Sequence, residues 1–104
     1  MKLKRFEILL PLNYNDGRTI EPEKFFVTND ELLEQFEGLT SDTVEVHGTW
    51  MYAGTVFHDR LIRLTVDSPN PDEALVFLER YKEVLKARFE QIDIWITGHE
   101  IELI

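Results

Sequence analysis

The residues best suited to acid–base chemistry are the three histidines and the carboxylates near them. His47 and His58 fall in a segment with the alternating polarity of β-strands, and the hairpin register preferred below makes His47 and Asp59 cross-strand neighbours. A carboxylate beside an imidazole fixes its tautomer and raises its basicity, as in a general-base pair. No nucleophile or oxyanion donor accompanies the pair, so a surface ion pair is preferred, with His47 and Asp59 kept as catalytic candidates.

A second group of side chains could bind a small organic molecule. Trp50, His58 and Arg60 are predicted to line a pocket between the sheet and the first helix. Arginine pairs with anionic groups, and tryptophan stacks on rings. The competing and preferred interpretation is that they form the polar rim of the core, with Trp50 packed within it.

Metal and cofactor sites are not predicted from this sequence. The chain has no cysteine, which excludes thiolate ligands, disulfides and a cysteine nucleophile. Asp30, Glu34 and Glu37 share one face of a predicted helix, but they lack the spacing of a calcium loop and are typical of a solvated helix surface. Glycine-rich phosphate-binding motifs and zinc-protease motifs are absent from the sequence.

The charge of the chain opposes several classes of partner. Eleven basic and twenty acidic residues give a formal net charge of −9, and both halves of the chain contribute to it. Such a surface repels phosphate backbones and anionic lipid headgroups. No apolar run approaches the ~18 residues of a membrane helix, and the first residues are predicted to form a strand rather than a signal peptide. We expect a cytoplasmic protein that binds neither nucleic acid nor membrane.

The elements that must position these residues follow from hydrophobic periodicity and from turn signals. A Thr28-to-Glu31 capping box and an Asn70-Pro71 start mark the two helices. The predicted elements are a strand over 3–12, a loop over 13–27, a helix over 28–38, a hairpin over 43–66, a helix over 71–90 and a last strand from 92, with a turn at Gly98-His99 and a tail that is either a bulged continuation or a small hairpin.

This order predicts the ferredoxin-like βαββαβ sandwich, an α+β fold in which one antiparallel sheet carries both helices on one face. The length of 104 residues fits a single domain over residues 1–104. In this topology the first and third strands lie at the centre of the sheet. The two crossovers are predicted to be right-handed.

The register of the predicted hairpin depends on its loop. A two-residue Ala53-Gly54 loop places Val44 opposite Arg63 and mixes apolar with polar faces. A three-residue Tyr52-Ala53-Gly54 loop pairs Val44 with Ile62 and Trp50 with Val56, which keeps the apolar sets together. The three-residue loop is therefore preferred, with Gly54 in the left-handed position.

An apolar set is predicted on the sheet face that points away from the helices. It consists of Leu9, Met51, Phe57, Leu61 and Trp95. Such a patch is rarely exposed on a monomer, so a homodimer through this face is expected, with the two sheets packed face to face or side by side. The predicted function is a non-enzymatic homodimeric module that binds a ligand or a partner protein. The alternative is a small dimeric α+β-barrel enzyme in which His47 or His58 is the general base for a small organic substrate.

Two further residues suggest activities found on this fold, and neither activity is adopted. Asp16 follows the first strand, where metal-dependent nucleases of ferredoxin-like fold carry a carboxylate, but an Asn-Asp-Gly turn explains this residue without a metal. Phe57 stands where RNA-binding sheets carry a stacking aromatic residue. The glycine-aromatic signature of those sheets is missing, and the net negative charge opposes RNA.

Short motifs between residues 28 and 104 resemble a family of small uncharacterised bacterial proteins. The motifs are Leu32 to Phe36 at the end of a helix, a Gly38-Leu39-Thr40 turn and a Gly48-Thr49-Trp50 strand. The resemblance implies the same fold and a bacterial origin. It implies no activity and no catalytic residue.

Overall fold

The computed structural model describes residues 1–42 and 45–104, which form five strands and two helices. In chain order the elements are β1 (Lys2–Pro11), α1 (Pro22–Phe36), β2 (Thr40–Ser41), β3 (Val46–Tyr52), β4 (Thr55–Ser68), α2 (Pro71–Arg88) and β5 (Ile96–Glu102). The predicted fold class is confirmed, because one antiparallel sheet and two helices follow the order of a ferredoxin-like fold.

The two central strands of the sheet are β1 and β4. This agrees with the prediction, because the short β2 was not predicted and β4 is the third of the predicted strands. Strand β5 flanks β1, while β2 and β3 pair with successive parts of β4. The pairing of β1 with β4 places Phe6 opposite Val66 and Ile8 opposite Leu64. Because side chains alternate along a strand, the even-numbered residues of β1 and β4 share one face of the sheet.

The core lies between that face and the two helices, and we call this side of the sheet the inner face. Ile8 of β1 and Leu64 of β4 are fully buried there against Leu32 of α1 and Leu85 of α2. Burial of one such side chain contributes roughly 1.5–3 kcal/mol, so this layer holds both helices to the sheet. The opposite side of the sheet, which the helices do not cover, is the outer face.

Helix α1 begins at Pro22 rather than at Thr28, so the prediction of a loop over 13–27 is wrong for its last residues. Proline at the first helical position loses no hydrogen bond there and has the correct φ angle. Thr28 lies inside the helix, where its hydroxyl donates to the Lys24 carbonyl instead of capping. Glu37 ends the helix in a left-handed conformation, with φ at 62°.

A buried polar cluster, which the sequence analysis did not identify, joins the two helices around Arg88. The Arg88 side chain is only 17% exposed, and its guanidinium lies 2.6 Å from Glu31 and 2.8 Å from the Thr28 hydroxyl. It also donates to the Tyr81 hydroxyl at 3.4 Å. Burial raises the pKa of Tyr81, although the hydrogen bond from Arg88 opposes this. Arg88 follows Tyr81 by seven residues, which is the spacing that places both on the inner side of α2.

The last strand begins at Ile96 rather than at residue 92, and the predicted turn at Gly98-His99 is wrong. Gly98 lies opposite Phe6, and His99 lies opposite Arg5, within an unbroken pairing with β1. A Cβ atom on Gly98 would lie 2.8 Å from the Phe6 ring. The glycine therefore provides room for a core side chain rather than a turn.

One part of the sheet projects beyond the core. Strand β4 has 14 residues, but β1 pairs only with its residues 61–68. One further hydrogen bond, from the Leu12 amide just after β1 to the Arg60 carbonyl, ends the contact between this part of the chain and β4. Within the described chain, residues 48–59 thus form a two-stranded hairpin about 20 Å long, which we call the arm. The radius of gyration is 14.1 Å, against about 13 Å for a compact chain of this length.

Candidate functional site

The hairpin register differs from the predicted one. Trp50 lies opposite Phe57, and Gly48 lies opposite Asp59, so the loop is the two-residue Ala53-Gly54 turn. Both turn residues have positive φ angles, 51° and 80°, as a tight hairpin turn of this kind requires. The prediction failed because the arm projects past the core, where neither face is buried and the polarity pattern cannot select a register.

The register of pairing with β4 differs between β2 and β3. Thr40 of β2 pairs with Thr65, whereas Val46 of β3 pairs with Leu61, so the pairing shifts by two residues between the two strands. The predicted pairing of Val44 with Ile62 lies outside the described residues. A discontinuity of this kind is typical of β-bulges at sheet edges.

We expect the two turn residues to respond in opposite ways to substitution. Ala53→Gly should raise the free energy of unfolding by roughly 0.5–1 kcal/mol, because alanine is disfavoured at positive φ. Gly54→Ala should lower it by about 1 kcal/mol for the same reason. Urea denaturation of both variants measures the difference. Equal effects at the two positions would contradict the two-residue turn.

The structure does not bring the catalytic candidates together. His47 lies opposite Arg60 and Asp59 lies opposite Gly48, so the two side chains are on opposite faces of the hairpin. The His47 side chain is 78% exposed, and its imidazole lies 3.7 Å from Glu45. The Asp59 carboxylate accepts a hydrogen bond from the Trp50 indole N–H. The expected cross-strand pairing of His47 with Asp59 is therefore wrong.

The three predicted ligand-binding residues are also separated. His58 and Arg60 share the inner side of the hairpin, whereas Trp50 is on the outer face and is not part of the core. His58 Nδ1 lies 3.4 Å from the Thr49 hydroxyl, and the Arg60 guanidinium forms a bidentate ion pair with Glu45. A hydrogen bond from Arg60 lowers the pKa of Glu45. A ligand role for His58 or Arg60 stays a prediction.

The outer face carries a group of apolar side chains, interrupted by Asp59 and Gly48, which we call the stripe. The Trp50 and Phe57 rings stack with centroids 4.7 Å apart and planes inclined by 21°. Trp95 is 65% exposed, and its carbonyl accepts the Leu9 amide, so these two residues are neighbours on adjacent strands. Leu61 lies between the two ends. The stripe therefore consists of Leu9, Trp50, Phe57, Leu61 and Trp95.

Four of the five residues predicted for this face are in the stripe, and Met51 is not. Met51 pairs with Val56 on the inner side of the arm, where it is 69% exposed. The two-residue turn is the reason, because it moves every β3 side chain by one position relative to β4. The same shift brings Trp50 to the outer face in place of Met51.

Beyond the stripe, the outer face carries charged side chains that pair with one another, together with the apolar Leu3, Val46 and Ile101. Arg5 binds Asp67 through two hydrogen bonds of 2.8 and 3.0 Å, which raise the pKa of Arg5. Arg63 lies 3.8 Å from Glu7 and 3.2 Å from Asp42. Apart from Asp59, the charges of the outer face thus lie away from the arm, where they compensate one another.

Two shallow depressions lie elsewhere on the described surface, and no histidine lines either of them. One, of about 250 Å³, is between the end of α1 and the start of α2. The other, of about 240 Å³, includes Asp16, Arg18 and Glu90. The Asp16 carboxylate lies 2.6 Å from the Arg18 guanidinium, and the hydrogen bonds from Arg18 lower its pKa. These contacts agree with a turn role for Asp16.

Residues 1–42 and 45–104 contain no group of three or more metal-ligating side chains suited to hold a metal ion. The acidic residues of α1 are consequently not gathered with others in that part of the chain. None of the helices described is long and apolar enough to cross a membrane.

Comparison with known proteins shows similarity in fold. No protein-family model matches the chain, and no curated protein matches it significantly. Solved structures of similar fold include a phage SAM lyase in complex with S-methyl-5'-thioadenosine, with a TM-score of 0.69 and 11% sequence identity. The match covers 97% of this chain and 90% of that one. The chain therefore has a fold that a small enzyme also uses, and the resemblance to a bacterial family stays a prediction.

Proposed function

We propose that this chain is a single-domain cytoplasmic protein that forms a non-enzymatic homodimer through the stripe and serves as a ligand- or partner-binding module. The observation that carries the proposal is the stripe, with the exposed Trp95 at one end and the half-buried Trp50–Phe57 stack at the other. Aromatic side chains that stay open to solvent and are bordered by polar groups are typical of protein interfaces.

The distribution of charge favours a second copy as the partner. Two chains of net charge −9 repel each other unless they meet where the charge is low. The stripe residues are uncharged, and the arginines beside them are already paired with Asp67, Glu7 and Asp42. The one carboxylate that lies between the stripe residues, Asp59, accepts a hydrogen bond from the Trp50 indole. Because the same face is presented by both copies, such contacts form a self-complementary two-fold interface.

The proposal is tested by the mass of the protein in solution. At tens of micromolar, sedimentation velocity should give twice the chain mass of 12.3 kDa. Trp95→Glu should convert the dimer to a monomer, because it places an unpaired charge in a desolvated interface. The side chain is too exposed for this change to unfold the core.

Val76→Glu provides the matched control. Val76 is an apolar residue on α2 that is 53% exposed, and the helices separate it from the outer face. This variant should remain dimeric, with unchanged circular dichroism. A wild-type protein that sediments at the chain mass, or equal behaviour of the two variants, would disprove the proposal.

A small enzyme is the second candidate, and the fold of a phage SAM lyase supports it. In this candidate function His47 or His58 acts as general base on a small organic substrate. Both histidines lie on the inner side of the hairpin, so a dimer formed through the stripe leaves them outside the interface. This placement favours the non-enzymatic function.

Incubation with SAM distinguishes the two candidates. The non-enzymatic function predicts no conversion of SAM and no saturable binding of S-methyl-5'-thioadenosine, measured by chromatography and calorimetry. Conversion that is lost in His47→Ala or His58→Ala, but retained in the control His99→Ala, would support the enzyme instead. His99 is on the outer side of β5, opposite Arg5.

A further inference from the structure

We infer that the arm of each copy lies across the stripe of the second copy, with its Trp50–Phe57 stack against the partner's Leu9 and Trp95. This inference rests on the proposed homodimer and specifies which surfaces meet in it. The occupant of the stripe is a second copy of this chain. The inference depends on the position, composition and charge of the arm.

The arm is poorly supported by its own chain. Within the described residues its two strands have no flanking third strand and no covering helix. An isolated two-stranded hairpin is at best marginally stable in water. The Trp50–Phe57 stack and the hydrogen bond from Trp50 to Asp59 hold the two strands to each other, yet both rings stay half-buried rather than fully buried. A surface of another molecule would complete their burial.

The arm is almost uncharged, so its contact with a partner does not rest on electrostatic attraction. Of its twelve residues, Asp59 alone is charged at neutral pH, although the chain as a whole has a net charge of −9. A polycation would instead be attracted to the acidic remainder of the surface. The arm therefore fits a neutral apolar partner surface, and the Leu9–Trp95 end of the stripe is such a surface on the same chain.

The layout of the stripe sets the geometry of the contact. Leu9 is level with Arg63 on β4, and Phe57 lies six residues further toward the tip, so the two ends are about 20 Å apart along the strands. A two-fold axis across the middle of the stripe, near Leu61, exchanges its ends. Each arm then meets the partner's Leu9–Trp95 end, and both ends are covered at once.

The area that a stable dimer needs requires the arms to take part. A standard interface buries about 800 Å² on each partner. Trp95 and the half-buried Leu9 fall well short of this area, so the half-buried Trp50 and Phe57 and the polar residues around them must also contribute to the contact.

The first test compares the two sides of the same arm. Trp50→Ala on the outer side should weaken the dimer by at least ~30-fold in Kd, as expected for an interface hot spot of about 2 kcal/mol. Met51→Ala, one residue away on the inner side, should change Kd by less than ~3-fold. Equal effects of the two variants would overturn the inference.

The second test locates the arm by cross-linking, which the absence of cysteine makes simple. Thr55→Cys lies at the tip of the arm on the outer side, and Thr97→Cys lies on the outer side of β5 beside Trp95. An equal mixture of the two variants, treated with a short bis-maleimide, should give a mixed dimer. Val56→Cys in place of Thr55→Cys faces the inner side and should give little product.

The outcomes separate the inference from the proposed function. Sedimentation of the wild-type protein at the mass of one chain would overturn both the proposed homodimer and the placement of the arm. The arm would then be expected to contact a protein of another sequence. A wild-type dimer that is dissociated by Trp95→Glu but gives no Thr55–Thr97 cross-link would overturn only the placement of the arm. Dimerisation together with the mixed cross-link supports both.

Discussion

Gly98→Val should lower the free energy of unfolding by about 2–3 kcal/mol. A Cβ atom at residue 98 would lie 2.8 and 2.9 Å from two atoms of the Phe6 ring and 3.1 Å from Lys4 Cε. Phe6 is only 3% exposed, so the core around it prevents its ring from moving aside. Overpacking of this kind typically costs 1–3 kcal/mol, and valine adds two methyl groups to the Cβ atom.

Denaturant unfolding of Gly98→Ala, Gly98→Val and the control Gly38→Ala measures this effect. Gly38 has no heavy atom within 4 Å of an added Cβ and has no positive φ angle. We expect its substitution to alter stability by no more than ~0.5 kcal/mol. A Gly98→Val protein as stable as Gly38→Ala would mean that β5 does not lie over Phe6 as described.

Arg88→Met should lower the free energy of unfolding by about 2 kcal/mol. The guanidinium donates to the hydroxyls of Thr28 and Tyr81, which are buried between the helices and would each lose a hydrogen bond. The ion pair with Glu31 contributes less, because that carboxylate is partly exposed to solvent. Methionine preserves most of the packing of the aliphatic chain.

The alkaline pH dependence of stability gives a readout specific to this cluster. Burial raises the pKa of Tyr81, and the hydrogen bond from Arg88 counteracts that rise. Removing Arg88 should raise the pKa further. A raised pKa in the folded state favours the neutral phenol, so its stabilisation is full below the unfolded pKa of about 10 and is lost as the pH rises toward the folded pKa. Arg88→Met should therefore lose stability more steeply than wild type above pH ~10.

Lys86→Met is the control for Arg88→Met. Lys86 lies in the same helical turn and forms an ion pair of 3.2 Å with the exposed Glu83. Surface pairs of this kind contribute little, so we expect a change below ~0.5 kcal/mol and no change in the alkaline titration. A similar loss in both variants would show that the Arg88 contacts are not specific.

The candidate site illustrates what hydrophobic periodicity can and cannot predict. Leu9, Leu61 and Trp95 were placed on the outer face correctly, because they lie on strands whose opposite face is buried by the helices. Trp50 and Met51 were exchanged, because they lie on the arm, where both faces are exposed. The wrong expectation that His47 pairs with Asp59 has the same cause, because the predicted loop was one residue too long.

The start of α1 shows a second kind of limit. The capping-box motif at Thr28 was present in the sequence, but the helix extends back to Pro22, and the threonine hydroxyl bonds within the helix. A local motif competes with the packing of the residues before it. Phe25 packs on Phe89, with ring centroids 5.3 Å apart, and this long-range contact holds the first helical turn against α2.

The order of strands and helices, the inner face of the sheet and the low charge of the arm are consequences of residue pattern alone. Period-two and period-3.6 polarity indicate which side of a strand or helix is buried, and each short segment of the chain carries this signal by itself. The hairpin register, the outward position of Trp50 and the Arg88 cluster depend on contacts between distant residues. The Arg88 cluster was decided by the packing of α1 against α2. The register and the position of Trp50 were decided where the chain covers neither face of the arm, and a polarity pattern holds no information about a face that the chain does not cover itself.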